Sequence, residues 1–273
     1  MAKSLAVLVT NDLTGDSRVL KMCSSATTLG YQVTAFASPA AHIPAYEADL
    51  PFRIVRRQST ASDKSVTQKV RGYITSHAAD VLRVGMTLLG IDPRRLVALA
   101  LKKRTRNVCH SFLAGLEELA PDVIHANDAD TLTVAFTYAA KHPTVAVVYD
   151  SHEYVRGVHR PSRGWNDFML AEESQWITKA DSVITVSESI AQLLVDDYHL
   201  SQRPLVVTNY PVTEEVTSTS TKTVREVIGL DSNTPLGVYA GAAAASRGLD
   251  LVIDLLTAIV DLHMCLVSRR NSY

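Results

Sequence analysis

The residues with the clearest chemical potential form the cluster Asp150-Ser-His-Glu153, which follows an apolar run rich in β-branched residues. A histidine in such a cluster can act near neutral pH as an acid, a base or a hydrogen-bond donor. A lone histidine after a strand is more often a structural group whose hydrogen bonds are satisfied. Here His125, Asp150 and His152 converge on neighbouring predicted strand ends, and this convergence favours a functional site.

A second pair of charged residues, Asp16 and Arg18, stands at the start of the first predicted helix. Asp16 suits an N-cap, because its carboxylate can accept backbone N–H bonds from the first turn. Arg18 is less expected there, since a cation in the first turn opposes the helix dipole. An anionic partner would resolve that conflict, although a surface arginine can also tolerate it.

Two carboxylates, Asp128 and Asp130, are separated by a single alanine. A pair at this spacing can bind a divalent cation. The pair also follows a predicted strand and opens a predicted helix, where Asp is favoured as a cap whatever the function. We therefore predict a capping role and no metal site.

A loop of small residues, Gly241-Ala-Ala-Ala-Ala-Ser-Arg-Gly248, separates a predicted strand from a predicted helix. Backbone amides and the positive helix end of such a loop can bind a phosphate, and Arg247 can add a charge-assisted contact. An ordinary strand-to-helix turn explains the same residues. No G-x-G-x-x-G follows the first strand, and neither a P-loop nor a serine nucleophile elbow occurs, which disfavours dehydrogenases, P-loop NTPases and α/β-hydrolases.

The elements that position these residues follow from the apolar pattern. Short apolar runs alternate with helical stretches, which predicts an α/β fold with a Rossmann-like, doubly wound parallel sheet. Strands are predicted at residues 5–10, 32–36, 52–56, 123–125, 145–149, 182–186 and 205–208. Helices are predicted around 19–29, 111–119, 130–141 and 190–198, and as a pair within 66–103. The polar residues named above follow the strands, at the edge where open parallel sheets bind ligands.

The composition changes after Pro211. Residues 213–223 are mostly Thr, Ser, Glu and Val, which predicts an interdomain linker. A helix at 224–228, a strand at 236–240, a helix at 248–262 and a strand at 264–267 come next. The predicted organisation is a first domain at 1–212, a linker at 213–223 and the start of a second Rossmann-like domain at 224–273. Two strands cannot bury the apolar stripe of the last helix, so we expect this second domain to be incomplete or to be completed by a partner chain.

Charge is unevenly distributed along the chain. The segment from Arg53 to Arg106 contains 13 Lys and Arg against three acids, although the whole chain has a net charge of −1. Such a segment can bind an anionic membrane surface, a nucleic acid or an anionic substrate, and a set of solvated surface helices explains it equally well. No apolar run approaches the roughly 20 residues that cross a bilayer. We therefore expect a cytoplasmic protein, peripheral at the inner membrane face if the basic segment docks there.

Seven short motifs occur in an order that resembles glycosyltransferase family 4. They are Asp16-Ser-Arg-Val19, Gly30-Tyr-Gln-Val-Thr34, Asp122-Val-Ile-His-Ala-Asn-Asp128, Tyr149-Asp-Ser-His-Glu153, Ala180-Asp-Ser-Val-Ile-Thr-Val-Ser187, Val207-Thr-Asn-Tyr-Pro211, and Tyr239-Ala-Gly241 with Arg247-Gly-Leu249. The resemblance implies a GT-B fold, in which two Rossmann-like domains face a cleft. It also implies transfer of a sugar from a nucleotide-sugar to an acceptor, with retention of anomeric configuration and without a metal or another cofactor.

The resemblance further implies roles for individual residues. His152 corresponds to the cleft histidine near the reacting sugar, which makes it the catalytic candidate. The acceptor side would be lined by Asp16, Arg18, His125, Asn127, Asp150 and Glu153, and the residual donor site by Gly241, Arg247 and Gly248. The implied partners are a nucleotide-sugar and a glycan, lipid-linked or small-molecule acceptor, and not a nucleic acid.

The second domain departs from the family pattern. The paired glutamates separated by seven residues do not appear, nor does the basic residue that accompanies the arginine, and Ser268-Arg-Arg stands where a glycine is expected. Because most donor contacts are missing, we expect little or no transfer by these 273 residues. The alternative is a non-catalytic acceptor-binding or interaction module.

Overall fold

The computed structural model describes residues 2–56, 99, 103, 107, 110–158, 163–210, 222–241, 243 and 247–268. The chain divides into two compact units, Met1–Asn209 and Tyr210–Tyr273. The predicted helix pair at 66–103, most of the basic segment and nearly all of the predicted linker lie outside the described residues.

The first unit is built on one seven-stranded parallel sheet with the order β3-β2-β1-β4-β5-β6-β7. Its strands are β1 Ser4–Leu8, β2 Gln32–Ala37, β3 Arg53–Arg56, β4 Val123–Asn127, β5 Ala146–Ser151, β6 Ser182–Thr185 and β7 Leu205–Val206. The predicted α/β fold and its seven strands are therefore confirmed. Strands β2 and β3 lie on one side of β1, and β4 to β7 follow on its other side. The strand order thus reverses between β1 and β4, and this reversal creates a topological switch point.

Helices cover both faces of this sheet. They are α1 Ser17–Thr28, α2 at residues 110–119, α3 Leu132–Ala139, α4 Arg163–Trp176 and α5 Glu188–Tyr198. Strand β1 is uniformly apolar because both of its faces are covered. Leu5 and Val7 pack with Val19 of α1 in one core cluster, while Ala6 and Leu8 belong to the cluster on the opposite face.

Helix α4 is the element that the sequence pattern did not predict. Its apolar residues Phe168 and Met169 are buried, but the Glu-Glu-Ser-Gln run that follows weakens the periodic signal. One of those polar residues, Glu173, is only 1% exposed. A buried carboxylate on the inner face of a helix is a departure from the pattern that periodicity detects.

The second unit contains a parallel pair of strands, β8 Leu236–Ala240 and β9 His263–Val267, and the helices α6 Val224–Ile228 and α7 Leu249–Ala258. Helix α6 begins with a capping box formed by Thr223 and Glu226. Within the parts of the chain that the structure describes, no helix is both long enough and apolar enough to span a membrane.

Candidate functional site

The candidate site lies at the carboxyl ends of β1, β4 and β5, beside the switch point of the sheet. Strand β4 supplies His125 and Asn127, strand β5 supplies Asp150, and the segment after β5 supplies His152. Asn127 and Asp150 face each other in the parallel register. The predicted convergence of polar residues on neighbouring strand ends is therefore present in the fold.

Arg18 and Asp150 form the central ion pair of the site. Arg18 Nη2 lies 2.7 Å from Asp150 Oδ1, and Arg18 Nε donates to Asp150 Oδ2 at 3.2 Å. The third guanidinium nitrogen, Nη1, donates to the carbonyl oxygen of Val207 at 2.5 Å. Both side chains are buried, with 9% and 3% of their surface exposed. The anionic partner that the position of Arg18 demands is thus Asp150 of the same chain.

Two histidines share the second oxygen of the same carboxylate. His125 Nε2 and His152 Nε2 each lie 3.4 Å from Asp150 Oδ2. Burial disfavours ionisation of Asp150, but its interactions with His125, His152 and Arg18 outweigh burial and hold its pKa well below the usual range. Asp150 is therefore an anion that gathers three basic side chains around the end of β5.

His152 is the most exposed of the three basic side chains around Asp150. Its Nδ1 lies 3.6 Å from Asp128 Oδ2, and its side chain is 16% exposed. Burial lowers the pKa of His152, yet Asp150 and Asp128 more than compensate and raise it above the ordinary value. The Nε2 atom is buried and makes no hydrogen bond within the described part of the protein, although it lies at ion-pair distance from Asp150. The exposed part of the ring is the part of this histidine that a ligand can reach.

Asp128 contradicts the capping role predicted for it. It occupies the residue before the short 3₁₀ turn Ala129–Thr131, but its side chain makes no capping hydrogen bond. Its backbone has φ 61° and ψ 159°, a region that is almost confined to glycine, and this conformation leaves the carboxylate beside His152. Desolvation of the Asp128 carboxylate, together with the nearby Asp130, Glu153 and Asp150, raises its pKa to about 6, against the opposing effect of His152.

Asp130, the other member of the predicted pair, has a different environment. Its side chain is buried and accepts a hydrogen bond from Thr10 Oγ1 at 2.6 Å, which joins the end of β1 to the turn after β4. Among the described residues, no three His, Cys, Asp or Glu side chains are grouped so that they could hold a metal ion.

The remaining acceptor-side candidates differ in their surroundings. Asp16 caps α1 by accepting the Val19 N–H at 3.1 Å, and Asn11 Nδ2 donates to its other oxygen at 2.8 Å. Asn127 is 2% exposed and donates to the Leu8 carbonyl at 3.1 Å, while its own Oδ1 has no hydrogen-bond partner within the described residues. Glu153 is exposed directly after His152. Asp16 therefore has a structural role at least, and Asn127 is fixed against β1.

Sequence reasoning missed Glu173, which lies behind the same strand end. Its carboxylate accepts hydrogen bonds from Tyr149 Oη and Tyr198 Oη, both at 2.7 Å. Ser151 Oγ lies 3.4 Å from the same carboxylate and 3.1 Å from the Glu153 carbonyl, and its one hydrogen is shared between them. Burial raises the pKa of Glu173, although these hydroxyls oppose the shift. The signal was present as Tyr149 and Ser151, which flank Asp150 and must face the opposite side of the sheet.

The three donor-side candidates belong to the second unit. Gly248 stands at the N-cap of α7 with φ 66°, a left-handed conformation that favours glycine. Arg247 is exposed immediately before it, and Gly241 follows β8 directly. Residues 242 and 244–246 of the intervening loop lie outside the described residues. The helix start and the arginine are thus adjacent, as the phosphate hypothesis requires.

The comparisons with solved structures identify the fold. Sucrose-phosphate synthase from Thermosynechococcus elongatus superimposes with a TM-score of 0.63 at 15% identity, over 99% of this chain and 63% of that protein. HepE of Anabaena in complex with UDP-glucose gives 0.51 at 12% identity, over 97% and 60%. A putative UDP-N-acetylglucosamine 2-epimerase from Listeria monocytogenes gives 0.54 at 10% identity, over 100% and 64%. The chain thus spans less than two thirds of the length of each of these proteins.

The sequence comparisons are more specific. No curated protein sequence matches the chain with significance. The model of Glycosyltransferase Family 4 matches residues 17–215, which is more than half of the 273 residues and includes every site residue of the first unit except Asp16. The chain therefore belongs to Glycosyltransferase Family 4.

Proposed function

We propose that this protein takes part in transferring a sugar from a nucleotide-sugar to an acceptor, and that the switch-point site of the first unit lines the acceptor side. The observation that carries the proposal is His152, whose buried Nε2 has no hydrogen-bond partner among the described residues although two carboxylates surround the ring. Family membership supplies the reaction class.

The charges of the site fit a positioning role better than a nucleophilic one. Asp150 is buried and engaged by Arg18 and His125, with His152 at ion-pair distance, so its carboxylate is poorly placed to attack a sugar. His152, whose side chain is 16% exposed, can instead donate a hydrogen bond to a substrate hydroxyl while Asp128 and Asp150 stabilise its charge. Transfer would then depend on orientation of the two substrates and on stabilisation of the departing diphosphate, with retention of configuration and without a metal.

The donor would bind to the second unit. Arg247 and the amino-terminal end of α7 provide a cation and a positive helix end for a diphosphate. The structurally similar HepE of Anabaena was solved in complex with UDP-glucose, which makes UDP-sugars the first donors to test here.

Little or no turnover by the 273-residue chain remains our expectation. Helix α7 and the adjoining turn expose Leu251, Ile253 and Val260 by 72%, 61% and 83%, so two strands do not cover their apolar residues. A donor site on such a small unit has little rigid support. Sustained multiple-turnover transfer with a nucleotide-sugar would contradict this expectation.

Calorimetric titration tests the assignment of the two sides. UDP-sugars and a panel of glycan and lipid-linked acceptors would be titrated into the wild-type chain, His152→Ala and Arg247→Ala. His142→Ala is the matched control, because His142 is a surface histidine paired with Glu117 at 3.1 Å. We expect His152→Ala to weaken acceptor binding, Arg247→Ala to weaken donor binding by about tenfold, and the control to change neither. Unchanged binding in both site variants would refute the assignment.

A non-catalytic acceptor-binding module is the second candidate function. It is favoured by the contrast, within the described residues, between the seven-stranded sheet of the first unit and the two-stranded sheet of the second. Acceptor affinity without any donor affinity in the same titrations would support the module. Donor affinity that depends on Arg247 would support the enzyme.

We also propose, separately, that the basic segment from Arg53 to Arg106 contacts an anionic membrane surface on the cytoplasmic side. Cosedimentation at low salt would compare anionic with neutral vesicles, because attraction to anionic lipid weakens as salt screens it. Equal binding to both kinds of vesicle would exclude that contact.

A further inference from the structure

Glu173 is joined to the candidate site through the backbone of β5. Successive residues of a strand face opposite sides of the sheet, so Tyr149 and Ser151 lie on one side and Asp150 on the other. The Tyr149 hydroxyl donates to Glu173 Oε1 at 2.7 Å. The single hydroxyl hydrogen of Ser151 is shared between that oxygen, at 3.4 Å, and the Glu153 carbonyl, at 3.1 Å. On the opposite side, Asp150 is held by Arg18 of α1. The last three residues of β5 are therefore fixed from both faces.

Glu173 is a buried carboxylate with more hydrogen-bond partners than a residue that only fills the core would need. The residue is 1% exposed, and its second oxygen accepts the Tyr198 hydroxyl at 2.7 Å, which ties α4 to the end of α5. None of these three partners is a cation, and burying a carboxylate with only neutral donors is costly. An apolar residue would pack this position at lower cost, but it would leave the Tyr149 and Tyr198 hydroxyls without this acceptor.

A third hydrogen bond completes the anchoring of the strand end. Thr185 Oγ1 of β6 donates to the Ser151 carbonyl at 2.9 Å, and both residues are buried. His152 is the next residue along the chain. Its ring therefore departs from a backbone that Glu173 holds through side chains and Thr185 through the main chain.

We infer that Glu173 is a positioning residue for His152 and Asp150, acting through Tyr149 and Ser151 without contacting substrate. Its contribution to sugar transfer rests on the function proposed above. Its effect on the geometry of His152 does not, because that geometry is measurable in the protein alone. Asp150 and Asp128 hold the His152 pKa above its ordinary value only while the ring stays beside them.

The test is an NMR titration of the His152 imidazole in the full chain. Glu173→Ala removes the acceptor, and Tyr149→Phe removes the shorter of the two links to β5 while it keeps the aromatic ring. We expect both variants to lower the pKa of His152 toward that of a free histidine, about 6.5. Glu173→Gln keeps the size and one acceptor oxygen, so it should restore most of the wild-type value and should separate geometry from loss of charge.

Two controls distinguish positioning from general stability. Tyr198→Phe cuts the link from Glu173 to α5 and leaves both links to β5. Leu116→Ala weakens the core of the same unit at a fully buried residue of α2. Both should leave the His152 pKa unchanged.

An unchanged His152 pKa in Tyr149→Phe would overturn the inference, and so would an equal shift in Leu116→Ala. If Glu173→Ala does not fold, Tyr149→Phe decides the question. A protein that transfers no sugar but shows the expected pKa pattern would refute the proposed function and leave the positioning role intact.

Discussion

Arg18 and Asp150 lie 132 positions apart in the chain, yet their side chains form a two-point ion pair beside the switch point of the sheet. Arg18 stands in the first turn of α1, where a cation is unfavourable, and Asp150 supplies the compensating charge from β5. The pair also holds the Val207 carbonyl after β7. One guanidinium thus connects the first helix, the fifth strand and the segment that leads out of the first unit.

Removal of this carboxylate should destabilise the first unit strongly. Asp150→Ala leaves Arg18 buried without its counter-charge, and we expect the free energy of unfolding to fall by about 3 to 5 kcal/mol. Arg203→Ala is the control, because Arg203 and Glu188 form an exposed pair and its loss should cost less than about 1 kcal/mol. Urea unfolding followed by circular dichroism measures both. Equal losses in the two variants would show that the pair does not contribute as a buried one.

The parts of this site that sequence could predict are those encoded locally. The apolar runs located the strands, and the polar residues after them located the site, because parallel strands share one carboxyl edge. That Arg18 requires a nearby anion could also be predicted, because a cation in the first turn of a helix is unfavourable. The identity of that anion was not, since it depends on the strand order that brings β5 near α1.

The failures have physical causes of the same kind. Asp128 was expected to cap a helix, but its glycine-like backbone conformation leaves the side chain beside His152 instead. Glu173 broke the apolar periodicity of α4 and concealed that helix. Its partners Tyr149 and Ser151 became recognisable only once alternate residues of β5 had been assigned to opposite faces.

Lowering the pH should decrease the free energy of unfolding because Asp150 becomes protonated. The pKa of Asp150 is lowered in the folded state, so its stabilising contribution is complete above the unfolded value of about 3.9 and is lost as the pH falls toward the lower folded value. We expect the wild-type free energy of unfolding to decrease as the pH falls below about 4, and Asp150→Asn to lose less over the same range. Urea unfolding at a series of pH values measures the difference. Parallel curves for the two proteins would contradict the assignment.

Asp128 should act in the opposite sense at higher pH. Its folded pKa is raised to about 6, so the folded state retains a proton that the unfolded chain releases near 3.9. The stabilising contribution of this proton is present below about pH 4 and is lost as the pH rises through about 6.

The matching variant is Asp128→Asn, which removes that titration. The difference in unfolding free energy between wild type and variant should therefore change between about pH 4 and pH 6. A constant difference across this range would show that Asp128 titrates normally. Since the Asp128 side chain is 43% exposed, we expect this effect to be smaller than that of Asp150.

The N-cap of α1 should contribute independently of the ion pair. Asp16→Ala removes the acceptor of the Val19 N–H, and we expect a loss of about 0.5 to 2 kcal/mol in unfolding free energy. Asp16→Asn retains a capping oxygen and should lose only a small part of that. If both variants lose the same amount, the charge of Asp16 matters and its capping geometry does not.

Because of its backbone conformation, position 128 should be more stable with glycine than with alanine. At φ 61° and ψ 159° a Cβ atom is strained by about 1 to 3 kcal/mol, and glycine is not. Asp128→Gly and Asp128→Ala both delete the carboxylate beside His152, so the comparison between them isolates the backbone. We expect Asp128→Gly to have the higher free energy of unfolding by up to about 2.5 kcal/mol, which is the strain less the entropic cost of glycine of about 0.5 to 1 kcal/mol. An alanine variant more stable than the glycine variant by that full entropic cost would mean that this position is unstrained. With the expected order, the natural aspartate is kept at a cost in stability, as is common for residues that hold a functional side chain in place.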